Sequence, residues 1–337
     1  MRRGLWAAAV AAAATGLAAA PAQATLSYVT GLLRGKPVVW SARDDGSGRV
    51  KVATGGYNPK VAPDGRRIAY LIGARTATLK VKPAAGGSAI TVAKNVWYYE
   101  NVEWAPDSVR IGVITGPENG PYQLKVCDVD ARRCRTVAKG YFSGLSFAPS
   151  GEGIAFARAF SNSYPSRANL YTARLDGGTP HKLTSDGKAG FPVWGPDAIA
   201  FDRGQTAPRR GDYDKLDIYT ITPDGGTIKR LTTTRPPFLL AGLQPLAWSD
   251  DGKRLAAQYT GQDTAEAWRV NATTGKAADA TGGFDGIVGW GLSHDGSTLL
   301  ATTGYFDDPK GNVVAVAWSG GAQTVLAKDA TQPSWNR

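Results

Sequence analysis

One short signature recurs along this chain and limits the folds open to it. "VAPDGRRIAYLI" begins at Val61, "VEWAPDSVRIGVI" at Val102, "FAPSGEGIAFAR" at Phe147 and "WSDDGKRLAAQY" at Trp248. Aligned at the position that is usually proline, the motif falls at Pro63, Pro106, Pro149, Pro196, Asp250 and His294, with gaps of 43, 43, 47, 54 and 44 residues. A partial copy near the end, "QPSW", puts Trp335 where Trp104 stands. A period in the low forties is that of a four-stranded propeller blade. Helical repeats share the length, but these units are rich in Gly, Pro, Thr, Val and Tyr and lack a helical apolar stripe.

Each unit reads as four short strands, A to D. "VEWA" and "RIGVIT" are A and B, joined by a "PDS" turn, and "QLKVCDV" and "RCRTVAKG" are C and D. Further C–D turns stand at "PAAGGS", "LDGGTP", "TPDGGT" and "WSGGAQ". Asx side chains bond their own backbone there, and Gly accepts positive φ. The two ends complement each other. "LSYVTG" resembles a B strand with no A strand before it, and the C-terminus supplies an A-like "PSW". Pairing the two would hide both sheet edges. The expected fold is all-β: a seven-bladed β-propeller of four-stranded antiparallel blades, closed by the C-terminal strand in the N-terminal blade. Six blades is the alternative, but seven gives about 45 residues per blade and six about 52. Trp104, Trp194, Trp248 and Trp335 are then expected between blades, with Val61, Phe147 and Leu292 in equivalent places.

The pattern W-A-P-D-x-x-x-I, together with "LYTARLDGGTPHKLT" (170–184) and "IYTITPDGGTIKRLT" (218–232), resembles the PD40, or TolB-like, propeller repeats. The resemblance covers nearly all of the chain after residue 24. It implies a WD40-like propeller of a kind found in envelope binding proteins and in propeller domains attached to peptidases. TolB itself carries a smaller α/β domain before a six-bladed propeller, and the repeats here leave no room for that domain.

The N-terminal segment reads as a signal peptide. Arg2 and Arg3 precede an apolar run from Leu5 to Ala20, and "APAQA" ends at Ala24 in the small residues a signal peptidase needs. The run is shorter than the ~20 residues that span a bilayer. Residues 1–24 are thus expected to be removed, by the Sec or the twin-arginine route, leaving one domain over 25–337 that is secreted or associated with the cell envelope. In an oxidising compartment the only cysteines, Cys127 and Cys134, are expected to form a structural disulfide across a hairpin. The formal charge of +11 favours acidic partners such as anionic polymers. Its basic residues are scattered rather than clustered, which argues against nucleic acid.

In such blades the A–B and C–D turns share one face, and the B–C and D–A connections share the other. The second set varies, and variable loops on a rigid scaffold carry binding. It supplies Tyr57 and Asn58, then Trp97, Tyr98, Tyr99, Glu100 and Asn101, then Tyr141, Phe142, Phe191, Phe238 and Phe284 with Asp285. Three consecutive aromatics cannot all face inward on one strand. The long B–C connection 202–217 brings Arg209, Arg210 and Tyr213 together with Asp212, Asp214 and Asp217, but without the spacing of a dedicated calcium loop. The ligand-binding set is therefore Tyr57, Asn58, Trp97, Tyr98, Tyr99, Glu100, Asn101, Arg209, Arg210, Tyr213 and Asp285.

No G-x-S-x-G elbow occurs, and the two histidines, His181 and His294, are placed in turns of the opposite face. No metal, cofactor or catalytic residue is expected. The reading is a monomeric, non-catalytic binding or scaffolding module for an envelope or extracellular protein, peptide or anionic polymer. The alternative is a glycan- or peptide-processing enzyme using the channel carboxylates Glu100 and Asp285.

Overall fold

The computed structural model describes residues 25–74, 76–97, 102–159, 168–205, 214–236, 240–261, 265–280, 287–304, 311–321 and 323–336. Every regular element in them is a β-strand, and nearly all pairings are antiparallel. No described helix is long and apolar enough to cross a membrane, which says nothing of a β-barrel.

The chain builds successive meanders. Gly56–Val61, Arg67–Ile72, Thr76–Pro83 and Ile90–Trp97 form one, and Leu240–Trp248, Arg254–Gly261, Ala265–Asn271 and Ala277–Asp279 another. Val288–Leu292, Thr298–Thr302, Val313–Ala317 and Gln323–Ala327 form a separate four-stranded sheet. Pairing continues across some unit boundaries. Arg133–Phe147 is one 15-residue strand whose first half pairs with Tyr122–Asp128 and whose second half pairs with Gly153–Ala159. The sequence reading expected a D strand, a connection and an A strand over that span. Gly140, at φ +146°, and a register shift between Phe142 and Gly144 lie inside the segment, which passes from one partner strand to the next without a turn.

The two ends of the described chain meet. Ala330–Trp335 lies antiparallel to Thr25–Thr30, with Leu26 opposite Trp335 and Thr30 opposite Ala330. Val38–Arg43 and Val50–Thr54 complete that sheet. Loss of the added strand would leave an open edge along Thr25–Thr30.

Second strands such as RIAYLI, RIGVIT and GIAFARA are apolar without alternation and buried along almost their whole length. A strand covered on both faces has this composition, and the core is accordingly divided into clusters between neighbouring units. One joins Leu71 and Leu79 to Ile111 and Val113. Another joins Leu26 and Tyr28, near the start of the described chain, to Leu300 and Val313 near its end.

The recurring signature performs three tasks. First, it makes the turn: the Gly65 amide donates to the Ala62 carbonyl at 2.8 Å, with Gly65 at φ +71°, and Gly151, Gly252 and Gly296 repeat the arrangement. Proline at the second position of such a turn has its φ preset. Second, the arginine or other residue that follows starts the next strand. Arg110 Nη2 donates to the Gly151 carbonyl at 2.7 Å and Arg254 Nη1 to the Gly296 carbonyl at 2.8 Å, while Arg67 donates to the Ser108 carbonyl. Each turn is thereby clasped by the unit before it. Third, the tryptophan packs between units. Trp104 Nε1 donates to the Lys60 carbonyl at 3.0 Å and Trp248 Nε1 to the Val193 carbonyl at 3.1 Å.

The residue before that tryptophan position stitches the inner strands in the other direction. Ser334 Oγ accepts from the Val61 amide (3.1 Å), Glu103 Oε1 from the Phe147 amide (3.0 Å), and Ser146 Oγ from the Trp194 amide (3.1 Å). The "KLT" and "RLT" segments have a comparable task within a sheet: the Leu170 and Ile218 amides donate to the Thr184 and Thr232 hydroxyls, both at 2.9 Å. Cys127 and Cys134 are directly opposed in their hairpin and disulfide-bonded.

Candidate functional site

Of the residues singled out for binding, Tyr57, Asn58 and Trp97 are described; Tyr98, Tyr99, Glu100, Asn101, Arg209, Arg210, Tyr213 and Asp285 lie outside the described residues. Tyr57 and Asn58 sit within strand Gly56–Val61 rather than in a loop, where the pairing register shifts between Tyr57 and Lys60. Asn58 is buried at φ +47°, a conformation Asn tolerates better than most residues. Its amide donates to Gln332 Oε1 at 2.8 Å, tying this inner strand to the C-terminal one. Tyr57 packs against the neighbouring core, and burial raises its phenol pKa.

Trp97 ends strand Ile90–Trp97 half-buried, with its ring 5.4 Å from Tyr122, which meets Tyr141 edge-on at 5.8 Å. Phe142 meets Phe156 edge-on at 5.8 Å and is likewise part of the core. The described aromatics of this face thus join its packing, and Phe191 is the one that stays exposed among them.

The two ends of the strands differ in how their polar groups are satisfied. At the A–B turns the carboxylates close on their own backbone. Asp107 Oδ1 accepts from the Val109 and Arg110 amides at 2.9 Å, and these bonds with the Arg110 guanidinium outweigh burial and lower its pKa. Asp251 and Asp295 accept in the same way. At the D–A and B–C end, buried polar atoms stand without a hydrogen-bond partner: Tyr57 Oη, Asn58 Nδ2, Ser143 Oγ, Asn169 Nδ2 and Asp202 Oδ1. Buried groups of this kind are uncommon and call for an explanation.

Two buried carboxyls were unforeseen from the sequence. Asp202, near the end of strand Ile199–Gly204, is buried, and desolvation pushes its pKa up to about 7. Gly190 lies against it: a Cβ there would come within 2.7 Å of Asp202 Oδ1. Glu103 is also raised to about 7 by burial, against opposing effects from the Phe147 amide, Lys60 and the Ser146 hydroxyl. Glu103 Oε1 accepts from the Phe147 amide at 3.0 Å, so unlike Asp202 Oδ1 it has a partner. The only sequence signal for Glu103 is an acid directly before a seam tryptophan; Asp202 had none, since it reads as the edge of a polar loop.

Asp217, grouped above with the 202–217 connection, is committed to structure. It is buried and accepts from Gln205 Nε2, the Thr234 amide, the Thr232 and Thr234 hydroxyls and Arg230 Nη2. His181 is on the short strand His181–Lys182, opposite Thr172, and not in a turn as expected. His294 is in its A–B turn, with Nδ1 2.9 Å from Asp250 Oδ1. Among the described residues no three His, Cys, Asp or Glu side chains gather in a metal-binding group.

No protein-family model matches the chain, and no curated protein matches it. Solved structures do. TolB from Acinetobacter baumannii aligns with a TM-score of 0.54 and 16% identity, over 94% of this chain and 67% of that one. The β-propeller domain of the Trilobed protease from Pyrococcus furiosus aligns with a TM-score of 0.63 and 11% identity, over 87% of both chains. A puromycin-hydrolyzing peptidase from Mycobacterium tuberculosis aligns with a TM-score of 0.66 and 16% identity, over 92% of this chain but 53% of that one. The chain has a TolB-like β-propeller fold. At these identities the likeness concerns fold alone, and it extends to enzymes and to TolB alike.

Proposed function

We propose that this chain is an exported, non-catalytic binding or scaffolding propeller, with residues 1–24 a cleaved signal peptide and 25–337 one domain of seven PD40-type blades. The pairing of Ala330–Trp335 with Thr25–Thr30 and the cluster joining Leu26 to Leu300 support closure of the ring. The partner is an envelope or extracellular protein, peptide or anionic polymer, held on the D–A and B–C face by Trp97–Asn101, Arg209, Arg210, Tyr213 and Asp285, with Tyr57 and Asn58 supporting that face from within strand Gly56–Val61.

The observation that carries this reading is the exposed Phe191 and the half-buried Trp97 at that end of the strands, opposite turns whose carboxylates close on their own backbone. Aromatic side chains at variable connections are what a partner's surface packs against. The test is a crosslinking pull-down from envelope extract, comparing the mature protein with a folded Trp97→Ala/Tyr98→Ala/Tyr99→Ala variant. Capture of a partner by the native protein alone supports the reading. Equal capture by both, or none by either, refutes it.

A carboxylate-dependent hydrolase or lyase is the second reading. Its general acid and base would be the channel carboxylates Glu100 and Asp285, and the fold it shares with a peptidase is what favours it. Turnover of a glycan or peptide that is abolished by Glu100→Gln or Asp285→Asn in a folded variant would favour it over binding alone.

A further inference from the structure

A cleft of about 640 Å³ lies between the segment Leu231–Arg235 and the meander of Arg254–Gly261, Ala265–Asn271 and Ala277–Asp279. Its size is within the ~300–1,000 Å³ of small-molecule sites. Tyr259 and Trp268 form one wall. They face each other across paired strands Arg254–Gly261 and Ala265–Asn271, with ring centroids 5.2 Å apart and an interplanar angle of 26°. Trp268 is half-buried, and its Nε1 donates to Glu266 Oε2 at 3.0 Å, which fixes the indole plane. Desolvation first, then the negative charges of Glu266 and Asp217, push the Tyr259 phenol up to about 12, so it stays a neutral donor.

Arg235 and Lys276 line the same cleft, both exposed, and neither makes an ion pair among the described residues. Their neighbour Arg230 is different: its guanidinium is committed to buried Asp217. Thr233 and Thr274 add exposed hydroxyl groups. The backbone holds the cleft's floor tightly, since a Cβ on Gly275, at φ +71°, would collide with the Leu231 carbonyl at 2.1 Å.

From this combination we infer that the cleft is a second binding site, for a short acidic saccharide whose ring lies against the Trp268–Tyr259 wall and whose anionic group sits between Arg235 and Lys276. An ordered aromatic wall supplies apolar contact for the C–H face of a sugar, with polar tips for its hydroxyls. A guanidinium and an ammonium supply charge-assisted bonds to a carboxylate or a sulfate. A neutral sugar would leave both cations unused, and a wholly apolar ligand would leave the hydroxyls and charges unmatched. The site is independent of the D–A and B–C face residues proposed above.

The test is isothermal titration of the mature protein with trigalacturonate, a sulfated chondroitin disaccharide and neutral maltotriose. Binding of one or both acidic probes, at least tenfold tighter than maltotriose, is expected. Binding of trigalacturonate alone assigns a carboxylated sugar, and binding of the sulfated probe alone a sulfated one. The exposed pair Arg235→Ala/Lys276→Ala should weaken that binding at least tenfold with an unchanged melting curve. No binding of either acidic probe, equal binding of maltotriose, or full affinity in Arg235→Ala/Lys276→Ala would overturn the inference.

Discussion

Asp202 gives this protein a pH dependence opposite in sign to ordinary acid denaturation. In the unfolded chain an aspartate titrates near ~3.9; folded, buried Asp202 titrates at about 7. Between those values the native state holds a proton that the unfolded state has released. Stability from this group is therefore full below about pH 4, falls as pH rises, and levels off above about pH 7. At about 1.36 kcal/mol per tenfold change in proton affinity, the total is roughly 4 kcal/mol. That is a large part of the ~5–15 kcal/mol that holds typical domains together. Glu103 acts in the same direction, its rise being opposed by the Phe147 amide, Lys60 and the Ser146 hydroxyl. Aspartates with lowered pKa values, such as Asp107 and Asp186, act in the opposite direction but below about pH 4, so the windows separate. The assay is urea unfolding of the native protein and Asp202→Asn at about pH 4.5 and about pH 8. The Asn amide adds a nearly constant penalty that cancels between the two pH values. The native protein should lose about 3–4 kcal/mol more than the variant on going to the higher pH. Equal pH dependence in the two proteins would refute a buried, strained carboxyl at this position.

Other perturbations probe the seams and the ring. Arg110→Ala removes the clasp on the Gly151 carbonyl and should cost about 1–2 kcal/mol in urea unfolding, since the guanidinium is partly exposed. Deleting residues 330–337 should expose the edge of Thr25–Thr30 and produce concentration-dependent aggregation in light scattering, whereas deleting Arg337 alone should not. Replacing both Cys127 and Cys134 with Ser should lower stability by about 2 kcal/mol or less, read as a shift in urea midpoint, because the closed loop is short.

Repetition made much of this fold legible in the sequence. The spacing of Pro63, Pro106 and Pro149 and the alternation of turn residues with apolar runs determine four-stranded units, because strand period and turn chemistry are local properties. The seam positions of Trp104 and Trp248 and the pairing of the two ends followed from the same reasoning, and both are present as hydrogen-bonded contacts. The continuous strand Arg133–Phe147 and the strand positions of Tyr57 and His181 were not legible, since where pairing stops depends on the neighbouring sheet.

The chemistry of the sites was decided by tertiary structure. Asp202 and Asp217 stand in one polar segment of the sequence, yet one is buried without partners for Oδ1 and the other is saturated by five donors. Tyr259, Trp268, Arg235 and Lys276 are scattered over some forty positions and carry no motif; packing of neighbouring units brings them to one cleft. A repeat encodes what every unit shares, so the sequence alone determined the scaffold. Burial, partner supply and proximity between units are collective, and only the folded chain determined them.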